Sequence, residues 1–218
     1  GSHLLMAVGR TPNIDRLNLD AAGIETTRSG IKVDAALKTT NRRVYAIGDV
    51  AGGLQFTHVA GYHAGIIIRS ALFGLPAKAS TAHIPWATYT APELAQVGLT
   101  EAQARDAHGD RLEVVRFRFA QNDRAIAERH TEGLIKVIVV RGRPVGVSIA
   151  GTQAGELINL WALVLANGLK MKHVANMVAP YPTIGEINKR AAGAYFSPRL
   201  FDNPKVKTIV GLVQRWLP

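Results

Sequence analysis

Residues 133–151 read GLIKVIVVRGRPVGVSIAG, and this stretch decides the fold class. Two apolar, β-branched runs flank the turn residues Arg141-Gly142-Arg143-Pro144, so the chain leaves along one strand and returns beside it as a hairpin. Upstream, IPWATYT (84–90) and LAQVGL (94–99) read as strands separated by an Ala-Pro-Glu turn, and RLEVVRFRFA (111–120) alternates imperfectly. Between them TEAQARDAHG (100–109) is a short helix, with Thr100 as N-cap and Gly109 as terminator. Downstream, helical spacing takes over at about 153–167, 170–178 and 184–195. Strands first and helices last predict an α+β unit, an antiparallel sheet with helices against it.

The segment before this unit has a different texture. LLMAVGR (4–10) is a short apolar run closed by a Thr-Pro-Asn turn, and IKVDAALKTTNRRVYAIGDVAGG (31–53) carries two further strand-like runs. FTHVAGYHAGIIIRSALFGL (56–75) runs at helical spacing, with Val59, Tyr62, Ile66, Ile67, Ala71 and Leu72 on one face. Thr57 is the expected N-cap and Gly74-Leu75-Pro76 the stop. A polar linker, PAKASTAH (76–83), separates the two textures. At the other end, SPRLFDNPKVKTIVGLVQRWLP (197–218) opens on turn residues. It then offers a short amphipathic helix with an apolar stripe of Ile209, Val210, Val213 and Trp216, read as core or subunit packing rather than a membrane anchor.

Composition narrows the function classes. The 218 residues are 47% hydrophobic and 19% charged, as in a globular chain with a real core. Gly1-Ser2-His3 is read as an expression-tag remnant. No apolar run approaches the roughly 20 residues that cross a bilayer, so no membrane partner is expected. There is no cysteine, which excludes disulfides and thiolate chemistry carried by this chain and fits a cytoplasmic location. The net charge of +10 is scattered along the sequence without a basic run interleaved with aromatics, so nucleic acid is not the expected partner.

Taken together, LLMAVGRTPN (4–13), TTNRRVYAIGDV (39–50) and PYPTIGEINKRAAG (180–193) resemble the C-terminal half of the flavin-dependent pyridine nucleotide–disulfide oxidoreductases. ATYTAPELAQVGLTEAQA (87–104) and AGELINL (154–160) resemble the dimerisation domain of that family, which includes dihydrolipoamide dehydrogenase, glutathione reductase and mercuric reductase. The resemblance divides the chain into an end portion of an FAD-binding domain (4–80), a dimerisation domain (81–196) and a tail (197–218). It implies FAD and NAD(P)H in the parent protein and a homodimer. No G-x-G-x-x-G follows a strand here, so this portion alone is expected to bind no cofactor and to be inactive. The second reading is a stand-alone, non-catalytic dimerisation protein that reuses the fold.

The resemblance also assigns residues. Gly48 and Asp49 stand where the family's aspartate hydrogen-bonds the flavin ribitol, although an Asp in a turn also bonds local backbone amides. Phe56, Thr57 and His58 open a helix whose positive end would face the flavin N1–C2=O edge. His58 and His63 have no carboxylate at ligand spacing, so no metal site is expected and both are read as surface or core-edge histidines. Tyr181-Pro182-Thr183-x-x-Glu186 keeps the family's His-Pro-Thr-x-x-Glu frame but replaces the imidazole. A phenol titrating near about 10 makes a poor base at neutral pH, so simple dithiol exchange is put in doubt. Mercuric reductases resemble the chain in carrying tyrosine there, but they also carry a C-terminal cysteine pair that is absent here. Tyr181 is therefore read as either catalytic or an interface packing residue, and Glu186 as its orienting carboxylate or a helix-terminal acid.

Overall fold

In the computed structural model, which describes residues 1–217, residues up to Ser80 and residues from Thr81 onward fold as two units. The first contains a two-residue antiparallel ladder of β1 (Thr26–Thr27) and β2 (Gly30–Ile31), a 3-10 turn over Gly48–Ala51 and helix α1 (Thr57–Ile67). A π-turn over Ile68–Leu72 prolongs α1. Its small core gathers Ile24, Ile31 and Ala46, with Ile14, Leu19 and Val44 packed around them.

Two expectations for this unit are corrected. Residues 4–10 form no strand, and Leu4, Leu5, Met6 and Val8 are 72% to 90% exposed. The VYAIGD run contributes only an isolated bridge between Lys38 and Tyr45. An apolar run becomes a strand only where a neighbour takes its backbone hydrogen bonds along its length. No strand pairs with 4–10 among the described residues, and 44–49 shares just a short exchange with 37–39, in which Thr39 N–H donates to the Val44 carbonyl and Ala46 N–H to the Leu37 carbonyl. The helix cap also differs. Phe56 is the N-cap with extended backbone, there is no side-chain cap, and Thr57 is already the first helical residue.

The second unit is built on a five-stranded antiparallel sheet in the order β3-β4-β7-β6-β5. In chain order its elements are β3 (Trp86–Thr88), β4 (Glu93–Gly98), α2 (Glu101–His108), β5 (Leu112–Arg118) and α3 (Asp123–Ala127). There follow β6 (Leu134–Val140), β7 (Arg143–Gly151), α4 (Ala154–Ala166), α5 (Met171–Ala175), α6 (Glu186–Phe201) and α7 (Pro204–Trp216). The hairpin of 133–151 is β6–β7, and its turn is the pair Arg141-Gly142, both with positive φ, as a two-residue hairpin turn requires. Pro144 lies inside β7 rather than in the turn. It is tolerated because β4 pairs β7 only from Gly146 onward, so no neighbour asks for its missing N–H. Thr100 caps α2 in a full capping box with Gln103, as its spacing predicts.

One face of the sheet carries the main core. Ala95, Val97, Ile135, Val137, Val139, Val147 and Ile149 alternate onto it and meet Trp161 and Ile158 of α4, Met171 and Val174 of α5, and Ile187 and Ala191 of α6. Buried inside this layer, Trp161 Nε1–H donates to Asn188 Oδ1 at 2.8 Å, and Asn188 Nδ2–H donates to the Leu157 carbonyl at 3.1 Å. The first turns of α6 are thereby tied to α4. On the opposite face α2 covers Ile138 and Leu112 through Ala104.

Helix α5 ends earlier than the expected 170–178, because the chain must extend to pass Pro180 and Pro182. Helix α6 runs further than expected and through Pro198. Ser197 Oγ and the Arg199 guanidinium donate to the Gly193 and Tyr195 carbonyls around that interruption. The tail is helical as read, but none of the side chains of α7 is buried, so its stripe does not belong to this chain's core. Among the described residues no helix is long and apolar enough to cross a membrane.

Candidate functional site

In the first unit the sequence-identified residues Gly48, Asp49, Phe56, Thr57 and His58 come from the 3-10 turn and the start of α1. Two close backbone approaches set that turn. Gly30 has φ +137°, and a Cβ there would lie 2.4 Å from the Val50 carbonyl oxygen, so β2 can lie directly against the turn only as glycine. Gly48 has φ +67°, and its Cβ would stand 3.1 Å from that of Ala60 on α1.

A residue that sequence reading placed at the surface or core edge completes the arrangement. His63 is buried, and its Nδ1 accepts the Gly48 backbone N–H at 3.1 Å, pinning the turn to α1. It shares the inward face with Val59 and Ile66, at i, i+4 and i+7 from Val59. The periodicity that reveals it was present, but histidine reads as polar in a hydropathy pattern. Burial pushes the His63 pKa below its usual value, so the ring stays neutral with Nδ1 unprotonated.

A pH dependence follows. The unfolded chain takes up this proton near about pH 6.5, whereas the folded unit resists it until lower pH. The stabilisation is full above that pH and is lost as pH falls towards the folded value. The exchange-protection factor of the Gly48 amide should drop between about pH 7 and 5, a drop absent in His63→Gln, which keeps an acceptor but does not titrate. Equal pH slopes in both proteins would refute this.

Asp49 stands at the second position of the 3-10 turn. Its carboxylate is half-exposed and faces the Arg10 guanidinium at 3.6 Å, and among the described residues it accepts no backbone amide. Asp34 is the contrast: its Oδ1 is committed to the amides of Ala36 and Lys38 at 2.8 and 3.0 Å. The Phe56 and His58 rings stack 5.2 Å apart beside the uncapped first turn of α1. Among the described residues no cluster of His, Cys, Asp or Glu could hold a metal.

In the second unit Tyr181 lies after Pro180 and before α6, on a surface segment whose Tyr181–Pro182 peptide is cis. The Thr183 carbonyl accepts from Asn122 Nδ2 at 3.1 Å, and Asn122 Oδ1 in turn caps α3 by accepting the Ala125 amide at 2.9 Å. Asn122 is buried, so this double bond fixes the segment to α3. Buried Ile184 and Ile187 anchor the other side. The Tyr181 ring is 68% exposed, which excludes packing within this chain.

The Tyr181 hydroxyl donates to Asp123 Oδ2 at 3.0 Å, not to Glu186. The bond to Asp123 and that residue's negative charge raise the phenol pKa, so Tyr181 stays protonated at neutral pH. Glu186 opens α6 and accepts from Arg190 Nε at 2.8 Å. It also borders an open cleft with Phe117, Lys189 and Gly193. The structure thus brings Tyr181 and Glu186 to neighbouring positions with separate partners. Asp123 was missed because its signal, an Asn-Asp pair at a helix start, reads as ordinary capping.

Residues 84–192 match the dimerisation domain of the pyridine nucleotide-disulphide oxidoreductases, and residues 1–64 match a further domain of the pyridine nucleotide-disulphide oxidoreductases. The chain is 38% identical over 193 residues to a dihydrolipoyl dehydrogenase of Bacillus subtilis (strain 168), covering 87% of this chain and 41% of that protein. It is 38% identical over 192 residues to a mercuric reductase of Lysinibacillus sphaericus, covering 87% and 35%. Among solved structures, the HOCl-induced flavoprotein disulfide reductase RclA from Escherichia coli superposes with a TM-score of 0.76 at 33% identity, over 86% of this chain and 44% of that one. LpdA from Mycobacterium tuberculosis gives 0.82 at 28% identity, over 88% and 42%. The chain therefore spans about two fifths of the length of the curated relatives it matches. A match over half of its residues, in the unit that carries Tyr181 and Glu186, identifies the chain as a member of the pyridine nucleotide-disulphide oxidoreductase family.

Proposed function

We propose that this chain supplies the dimerisation domain (81–196) and the closing part of the FAD-binding domain (4–80) of a cytoplasmic, homodimeric oxidoreductase. That enzyme passes electrons from NAD(P)H through FAD to a disulfide, a metal ion or another acceptor. The observation that carries the reading is the exposed Tyr181 hydroxyl, held protonated by Asp123 beside Glu186 on the outer surface of the dimerisation unit. Polar side chains fixed by buried anchors yet presented outward suit a site that a second subunit completes.

The first unit fits a flavin. Gly48 leaves no bulk at the turn, the Asp49 carboxylate can accept a ribitol hydroxyl, and the first turn of α1 offers amides and a positive dipole end to an electron-rich ring edge. When bound, the flavin supplies electron transfer between the nicotinamide and the acceptor. Tyr181 then presents a neutral hydroxyl at the acceptor, its O–H engaged by Asp123 and its oxygen lone pairs open, rather than a base, which separates this protein from relatives that use an imidazole there.

Light scattering at micromolar concentration is expected to return twice the chain mass, and a monomer would refute the dimeric reading. The 218-residue chain, which contains no cysteine, is expected to purify colourless and to leave NAD(P)H unoxidised. Stoichiometric yellow flavin or nicotinamide oxidation would refute its proposed dependence on the rest of the enzyme.

A further inference from the structure

Helix α7 (Pro204–Trp216) is a well-formed helix with no buried side chain: Val206 near its start is half-buried and the rest of its apolar side is exposed. Asn203 caps it through Oδ1, which accepts the Lys205 amide at 3.0 Å, and Pro204 occupies the first turn. Val206, Ile209, Val210, Val213 and Trp216 fall on one stripe, which Leu217 continues. Ile209 is 59% exposed, Val210 and Val213 46% each, and Trp216 84%. Isolated helices of this length are marginal in water, so an apolar stripe kept over its whole length calls for a surface that receives it. The helix also lies beyond residues 84–192, the part that matches the family's dimerisation domain.

Charge selects the occupant. Lys205 and Lys207 flank the stripe, Arg215 lies opposite it, and no acidic residue occurs between Asn203 and Pro218. The whole chain carries a net charge of +10. Two copies joined through this stripe would line the seam with lysines, and no residue of the helix itself would supply an anion to pair them. An anionic phospholipid surface accepts both halves of the helix. The stripe with Trp216 enters the headgroup–acyl boundary, and the lysine stems reach back to the phosphates.

We propose that α7 is an interfacial membrane-docking helix, which lays the protein on anionic bilayers without spanning them. This replaces the sequence-based expectation of a packing stripe and of no membrane partner. It is independent of the acceptor chemistry and of the reading of Tyr181.

The test is flotation of the 218-residue chain with phosphatidylcholine vesicles, alone or with about 30% phosphatidylglycerol. The protein is expected to float with the anionic vesicles only, and to be released by raised salt. Lys205→Gln with Lys207→Gln and Arg215→Gln should lower the partition coefficient by about tenfold or more. Val210→Asp with Val213→Asp should abolish flotation while leaving the far-UV dichroism of the sheet unit unchanged, because neither side chain is buried. Three results would each overturn the proposal: no flotation with anionic vesicles, equal flotation of wild type and variants, or an aspartate variant that halves the mass in light scattering. The last would identify a second copy as the occupant.

Discussion

Trp161→Ala is expected to destabilise the sheet unit by about 3–5 kcal/mol, the range for emptying a fully buried indole site. Trp161 is completely buried, the largest of the side chains that are so. The loss has two physical parts. One is the cavity between α4 and the sheet, lined by β-branched side chains on strands that cannot collapse inward without breaking register. The other is electrostatic: the side-chain Oδ1 of Asn188 loses the indole N–H that donates to it while staying inside the protein. Trp161→Phe separates the two, keeping most of the volume and removing the N–H, and should cost about 1–3 kcal/mol.

Urea titration followed by far-UV dichroism reads both variants as a lowered midpoint with an unchanged slope. An unchanged midpoint in Trp161→Ala would remove Trp161 as the link between α4 and α6. The consequence reaches the candidate site, because Asn188 sits in the first turns of α6 and the Tyr181 segment enters that helix at Glu186. Loosening the indole bond should increase exchange at the Glu186 and Ile187 amides before global unfolding.

How much of this was legible in the sequence depends on where the stabilising partner lies. The 133–151 hairpin, α2 with its capping box and α4 were readable because their signals are local: a positive-φ turn, a Thr-x-x-Gln box and an apolar stripe over 13 residues. The runs 4–10 and 44–49 misled because strand propensity is a statement about neighbours, and neither run finds more than one bridge here. The frame around Tyr181 was visible as a motif, but the group that engages the hydroxyl was not. Asp123 lies 58 residues away, and the Asn122 bond to the Thr183 carbonyl, with Ala125 and Ile184 in the shared core, brings the two segments together. His63 shows the same limit from inside the core, where a polar side chain is buried because a single backbone amide uses it.

The pairing of Tyr181 with Asp123 predicts how the phenol titrates. In the folded protein the carboxylate accepts its proton and opposes a second negative charge, so ionisation is displaced upward from the usual 10. The linkage runs in one direction. The unfolded chain releases the Tyr181 proton near about pH 10, while the folded chain holds it to higher pH. The bond's contribution is therefore complete below that pH and is lost as pH rises through the folded value. Absorbance titration of tyrosinate, taken as the difference between wild type and Tyr181→Phe, should show Tyr181 ionising at higher pH than a free phenol. In Asp123→Asn, which keeps an acceptor oxygen but removes the charge, its transition should move to lower pH. Asn122→Ala should act differently, freeing the segment from α3 and lowering stability with or without a shift in the phenol. If Asp123→Asn leaves the transition in place, the carboxylate does not hold the proton, and the pairing of Tyr181 with Asp123 loses its support.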